Sequence, residues 1–284
     1  VSARTETAAL LALLRGSERR PNAYTQLIEA TGSAVPILEQ EHGLLAANLV
    51  DSARKELVCG HDQGIRALTV LDAEYPANLR GAHDRPPLIF VAGSYQPRDG
   101  RSVAVIGARQ ASSDGTALAR AVAEHLVEHG YTVVSGLAAG IDTVAHTAAL
   151  ARGGRTIAVI GTGLQRCYPD ENLRLQRRIA GECAVISQFM PEAGPTRHSF
   201  PMRNAVMSGL ALATVVIEAS HKSGARTQVR SALAQGRPVL IARAVLAWQW
   251  AREVAVRPGV HVIDSPDDVT AIVGRRWPSD KLVA

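Results

Sequence analysis

From Arg101 onward the chain alternates short apolar runs with helix-length amphipathic stretches, and this alternation limits the possible folds more than any other feature. The apolar runs occupy residues 102–106, 132–135, 156–160, 184–187, 213–217 and 238–241. Between them lie stretches 114–129, 141–151, 171–179, 202–210 and 225–234. In the first of these, Leu118, Val122, Leu126 and Val127 recur on one side, as a helix packed on a sheet requires. Strands joined through helices of this length predict an α/β fold with a doubly wound, mostly parallel sheet. Aromatic residues make up only 4% of the chain, so the core must be aliphatic, which suits a sheet covered on both faces.

Upstream of this region the pattern changes. Residues 5–14, 24–31, 35–41 and 44–57 read as short helices, broken at Gly16, Pro21, Gly32 and Gly43. Residues 65–70 and 88–91 read as strands in a connecting region. The domain organisation expected is a small helical N-terminal domain over 1–64, the α/β domain over 65–274 and a tail over 275–284.

A doubly wound sheet binds ligands beyond the carboxyl ends of its strands, often where the strand order reverses. Four segments meet that condition: 107–114, 136–142, 161–168 and 218–224. They are rich in Gly and Ser, and each precedes a helix, so backbone N–H groups and a helix N-terminus face an anion. None is a dinucleotide fingerprint. Gly107-Ala-Arg-Gln does not fit G-x-G-x-x-G, and Gly161-Thr-Gly163 lacks the third glycine because residue 166 is Arg. No cofactor is expected.

Charge narrows the ligand. The net charge is +5, but residues 1–99 carry 10 Lys and Arg against 12 Asp and Glu, and the remainder carries 21 against 14. The excess positive charge shares the second part of the chain with the glycine loops, as in a polyanion binder. Cys59, Cys167 and Cys183 are far apart and form neither a metal-ligand spacing nor a disulfide framework. The first residues lack a signal-peptide pattern, and no apolar run approaches the roughly 20 residues of a membrane span. A reducing cytoplasm, with no membrane association, is the setting expected.

Several polar residues have plain structural readings. Asp142 and His146 lie one helical turn apart and read as a local capping and bonding pair. Arg174, Arg177 and Arg178 read as a solvated helix face. Glu218, at a strand end, reads as a loop organiser that accepts backbone N–H bonds. Phe200 is open to two readings, a base-stacking ring among basic neighbours or a core anchor.

Taken in order, the motifs are specific. They are Gly107-Ala-Arg109, Ser135-Gly-Leu-Ala-Ala-Gly-Ile-Asp142 with His146, Gly161-Thr-Gly-Leu with Tyr168-Pro-Asp-Glu-Asn172, Phe200-Pro-Met-Arg-Asn204, and Ser223-Gly224 with Ala232-Leu-Ala-Gln-Gly-Arg237. The chain resembles the DprA/Smf family of DNA-processing proteins over about residues 65–242, and more weakly through the helical N-terminal region. The resemblance implies an extended Rossmann-like domain that binds single-stranded DNA and acts, without catalysis or metal, as a recombination mediator. It further implies a homodimer that delivers RecA to incoming strands in natural transformation or DNA uptake.

Matched position by position, the resemblance makes Gly107 and Arg109 a phosphate-gripping loop. Gly136 and Gly140 would bring backbone close to the strand. Phe200 would stack on a base, and Arg203 would reach a phosphate or the pocket wall. Arg197 and His198 would extend that basic loop, Arg166 would point to the same sheet edge, and Lys222, Ser223 and Gly224 would complete the rim. The alternative is a small-nucleotide sensor or nucleotide hydrolase. Such hydrolases share a Pro-Gly-Gly-x-Gly-Thr loop, where this chain has Glu218-Ala-Ser-His-Lys-Ser-Gly224.

The chain departs from the family after residue 241. In place of a Val-Pro-Gly turn stands Ala242-Arg-Ala-Val-Leu-Ala-Trp-Gln-Trp-Ala251, whose two tryptophans suggest a different apolar interface. The winged-helix domain of many relatives is expected to be absent or to lie outside this chain. The N-terminal region lacks a helix-hairpin-helix glycine motif.

Overall fold

Strands form where Val, Ile and Ala concentrate, because side chains buried on both faces must be small or branched and apolar. A computed structural model describes residues 2–16, 21–220 and 223–276. In chain order, helices α1 (Ala3–Gly16), α2 (Pro21–Thr31), α3 (Val35–His42) and α4 (Ala46–Asp62) precede strand β1 (Ile65–Thr69), the short α5 (Ala77–Arg80) and β2 (Leu88–Gly93). The regular alternation then runs β3 (Ser102–Ile106), α6 (Ser113–Glu128), β4 (Thr132–Ser135), α7 (Ile141–Ala151), β5 (Thr156–Val159), α8 (Leu173–Glu182) and β6 (Ala184–Ser187). It ends with α9 (Ser199–Leu210), β7 (Ala213–Val216), α10 (Ala225–Ala234), β8 (Val239–Ala242), α11 (Gln249–Ala255), β9 (Val260–Ile263) and α12 (Pro266–Arg276).

The strands form one 9-stranded sheet in the order β1-β2-β6-β5-β4-β3-β7-β8-β9. The run from β6 through β9 is parallel, and β1 and β2 extend it antiparallel at the β6 edge. From β3 the chain winds outward through β4, β5 and β6, then returns at β7 on the opposite side of β3. That reversal opens a crevice between the carboxyl ends of β3 and β7.

Strand alternation splits the core. Val103, Val105, Val133, Val215 and Leu240 face the cluster that α6, α7 and α12 cover with Val122, Leu126, Ala145 and Val269. Ala104, Ile106, Val134, Val216 and Ile241 face the opposite cluster, which Ile179, Val206, Met207 and Val229 close. Each such Val or Leu, fully buried, stabilises the fold by about 1.5–3 kcal/mol. The second cluster is continuous with Leu10, Leu13, Tyr24 and Ile28 of the N-terminal helices.

Three features differ from the sequence expectation. The helix expected over 202–210 opens at Ser199, because Pro201 falls in its first turn, where a missing N–H breaks no helical bond. Strand β9 adds a further parallel edge; its Val260 and Ile263 are buried and its His261 is exposed. The two tryptophans near 250 do not form one surface, since Trp250 is 4% exposed and Trp248 41%.

Candidate nucleic-acid interface

The floor of the crevice is a buried polar cluster. After β4, Leu137 takes a positive φ of 58°. This brings the N–H groups of Gly136 and Ala138 onto one acceptor, Asp142 Oδ2, at 3.1 and 3.3 Å. Such a backbone concavity is an anion site, and here the chain's own carboxylate fills it. Gly136 also leaves room for the guanidinium of Arg203, which lies where a Cβ would stand. Arg203 donates from Nη1 to the Val159 carbonyl at 3.0 Å, and its Nε has no partner among the described residues. Burial pushes the Asp142 carboxyl above its ordinary range, while the Arg203 charge and the loop N–H groups act against that shift.

His146 lies behind this pair. Its Nδ1 is 2.7 Å from Thr156 Oγ1, whose hydroxyl donates to the Val133 carbonyl, so Nδ1 is the donor. Burial, with the nearby Arg203 charge, pushes the imidazole down to about 3. Asp142 thus bonds locally, as expected, whereas His146 bonds across to Thr156 on β5. Asp142, however, closes the loop before α7 rather than capping the helix, whose N-cap is Gly140.

Above the floor, a cleft of about 970 Å3 opens at the β3–β7 reversal. Its lining includes Gly107, Arg109, Phe200, Arg203, Ser223 and Gly224. Six of the residues singled out in the sequence therefore meet at one site. Arg109 is exposed, and its guanidinium carbon is 5.7 Å from the centre of the Phe200 ring. That ring is half-buried; it rests against Gly161 and has Tyr168 at 5.5 Å, tilted by 53°. Glu218 sits at the amino end of α6, where its Oε2 accepts from the Ser112 N–H at 3.0 Å and from the Ser112 hydroxyl at 2.9 Å. It is the loop organiser that the sequence suggested, and it occupies the anion position of that helix end itself.

Other expected residues stand elsewhere. Gly136 and Gly140 do not line the cleft. Gly140 has φ 75° and ψ −124°, and its Cα backs onto the carbonyls of Ala108 and Arg109. It brings the start of α7 against the Arg109 loop, not backbone toward the solvent. Arg203, read as reaching a phosphate or the wall, is in the wall and 7% exposed. Arg166 is exposed outside the cleft lining, with Nε 3.4 Å from the Glu192 carbonyl. Arg197 and His198 are exposed just ahead of α9, also outside the lining. Lys222 lies outside the described residues. Arg174, Arg177 and Arg178 form a solvated face on α8, with Arg178 bonded to Glu182 at 2.8 Å.

The sequence reading assigned no site role to Tyr168, Gln110 or Trp248. The last two line the cleft, and Tyr168 stands beside Phe200. A usable signal existed for Tyr168 and Trp248. In a chain with so few aromatics, a ring in a loop after a parallel strand is already at the ligand edge. Among the described residues no helix is long and apolar enough to cross a membrane.

A doubly wound sheet with a cation and an aromatic ring at its switch point defines a Rossmann-like ligand-binding protein. The family model for DNA recombination-mediator protein A matches residues 66–274, and the chain belongs to that family. Among its relatives, the DNA processing protein DprA of Bacillus subtilis is 35% identical over 184 residues, covering 64% of this chain and 62% of the relative. The DprA of Streptococcus pneumoniae is 41% identical over 177 residues, covering 62% of each. The matches thus span about three fifths of the length of these curated relatives. The crystal structure of DprA from S. pneumoniae superposes with a TM-score of 0.76 at 29% identity, covering 95% of this chain and 98% of that one. A DprA from Helicobacter pylori, described for its single-stranded DNA binding mode, shares the fold with a TM-score of 0.66 at 22% identity, over 75% of this chain and 96% of its own.

Proposed function

We propose that this protein binds single-stranded DNA in the β3–β7 cleft and acts as a recombination mediator, holding the strand without cleaving it. The observation that carries this reading is the pairing of Arg109 with Phe200 at the switch point. A single strand offers a phosphate and an unstacked base at each step. A cation 5.7 Å from a half-buried ring meets both. Two of the four candidate loops, 107–114 and 136–142, are closed by Glu218 and Asp142, so side-chain cations carry the phosphate contacts there. Arg109 grips the phosphate next to the stacked base. Arg203, buried in the wall, adds its positive charge behind that contact. Arg166, Arg197 and His198 meet flanking phosphates, and Ser223 closes the rim.

Family membership supports the remaining parts of the proposal. The protein works in the cytoplasm as a homodimer, and it passes the strand to RecA during transformation or another uptake pathway. The relative from H. pylori is described as a single-stranded DNA binder. The competing reading, nucleotide hydrolysis, needs a free acid at the end of β7. Glu218 is instead engaged by Ser112.

The test pairs two measurements on one preparation: anisotropy of a labelled single-stranded oligonucleotide, and turnover of nucleoside monophosphates. Saturable oligonucleotide binding with no turnover is expected. Turnover that Glu218→Ala abolishes would replace the proposal with the hydrolase reading.

A further inference from the structure

We infer that Trp248 is a second base-stacking platform on the far wall of the cleft, taking a different base of the strand whose neighbour stacks on Phe200. This rests on the single-strand reading above and extends it to a residue that nothing else assigns.

The first observation is the contrast within one turn of chain. Trp250, two residues on, is 4% exposed and packs in the core cluster with Val245 and Ala251. Trp248 keeps 41% of its surface in water. Apolar packing explains the first ring and leaves the second unexplained, since an exposed indole forgoes most of the benefit of burial.

The second observation is rigidity. Trp248 is the extended residue ahead of α11. Its N–H donates to the Val245 carbonyl at 3.1 Å, and its carbonyl accepts from Ala251 at 3.1 Å and Arg252 at 3.3 Å. The Arg252 guanidinium donates to the carbonyls of Leu246 and Ala247 at 2.8 and 3.0 Å, which locks the preceding turn. The backbone that presents the ring is fixed before any ligand arrives, so little ordering entropy is lost on stacking.

The third observation is position. Trp248 lines the same cleft as Arg109 and Phe200. Phe200 rests on Gly161, just after β5, whereas Trp248 follows β8, and β4, β3 and β7 lie between those strands. Four strand spacings are about 19 Å, far more than the ~3.4 Å step of stacked bases. The two rings therefore take separate bases, with Arg109, on the loop after the intervening β3, between them. A strand that engages both must be longer than one nucleotide and unpaired, because each ring needs a base face that a duplex hides.

The experiment uses the whole chain, labelled oligo(dT) of about 20 nucleotides followed by anisotropy, and the protein's intrinsic tryptophan fluorescence followed in parallel. The parent protein is expected to show fluorescence quenching on binding. Trp248→Phe should lose most of that quenching while keeping affinity within a few-fold. Trp248→Ala, checked for an unchanged melting temperature, should weaken single-strand binding by about 5- to 150-fold. Trp248→Ala binding within two-fold of the parent, with Trp248→Phe still fully quenched, would overturn the inference and leave the single-strand reading standing. So would unchanged DNA affinity together with a changed oligomeric state by sedimentation, which would make Trp248 part of a protein interface. Failure of the parent itself to bind oligo(dT) in anisotropy would instead overturn the single-strand reading on which the inference rests.

Discussion

Phe200 meets two demands at once. Its ring covers Gly161 and stands beside Tyr168, which is packing, and it also lines the cleft next to Arg109, where the proposed strand would stack. A full core phenylalanine costs about 3–5 kcal/mol when truncated. For this half-buried ring, Phe200→Ala should lower stability by less than that in urea unfolding and weaken single-strand binding by about 1–3 kcal/mol. Arg109 is exposed at a strand end, so Arg109→Ala should leave the melting temperature unchanged. It should also reduce the slope of log affinity against log salt by about 0.7, the share of one phosphate on a single strand. His146 makes a different kind of claim. Its folded pKa is about 3 against 6.5 for the free side chain. Between those values the unfolded chain holds the extra proton, so His146 favours folding fully above pH 6.5 and loses that contribution as pH falls toward 3. The stability difference between the parent and His146→Gln should therefore shrink as pH falls from 7 to 4.5, by at most about 1.4 kcal/mol per pH unit. Asp142 is present in both proteins and cancels in that comparison. A difference that stays flat across this range would mean that His146 is not buried neutral.

At the scale of elements, the glycine loops do structural work that sequence spacing did not separate from ligand binding. Gly140 adopts a backbone region open almost only to glycine, and its Cα backs onto two carbonyls of the Arg109 loop. Gly140→Ala should therefore destabilise the protein by more than about 2 kcal/mol, with weaker DNA binding only as a consequence of a displaced Arg109. Element boundaries were legible where period and burial agree. Strands β3, β4 and β6 and helices α7 and α10 begin and end where the sequence placed them. Strand β9 was not legible, because Val-His-Val-Ile after Pro258-Gly259 is a short run with one polar member, and only pairing to β8 makes it a strand. The early start of α9 was hidden by Pro201, which reads as a break in isolation and as a first-turn residue in context. In the site, the sequence located Arg109, Phe200, Ser223 and Gly224 at the cleft. It foresaw Glu218 as an acceptor of backbone N–H bonds, but not that Asp142 would close the Gly136 loop instead of capping α7. A carboxylate that satisfies a nest is separated from it by a loop in one case and by 106 residues in the other, and spacing carries no sign of that contact.

For the whole molecule, the strand order fixes where a ligand can sit and the charge balance points to a polyanion there. The winding from β3 outward and back to β7 leaves one switch point, and the cleft lies there. Residues 100–284, which build it, carry 21 basic against 14 acidic residues. A polyanion is drawn to such a surface, and under the proposal the rings in the cleft select the form whose bases are free. The measurement that tests this most directly is a salt series of equilibrium titrations with single-stranded and duplex oligonucleotides of one sequence. If Arg109, Arg166 and Arg197 each hold a phosphate, log affinity for the single strand should fall against log salt with a slope of about −2. The single strand should also bind more tightly than the duplex at every salt concentration. Equal affinity for both forms, or a slope near zero, would contradict the account.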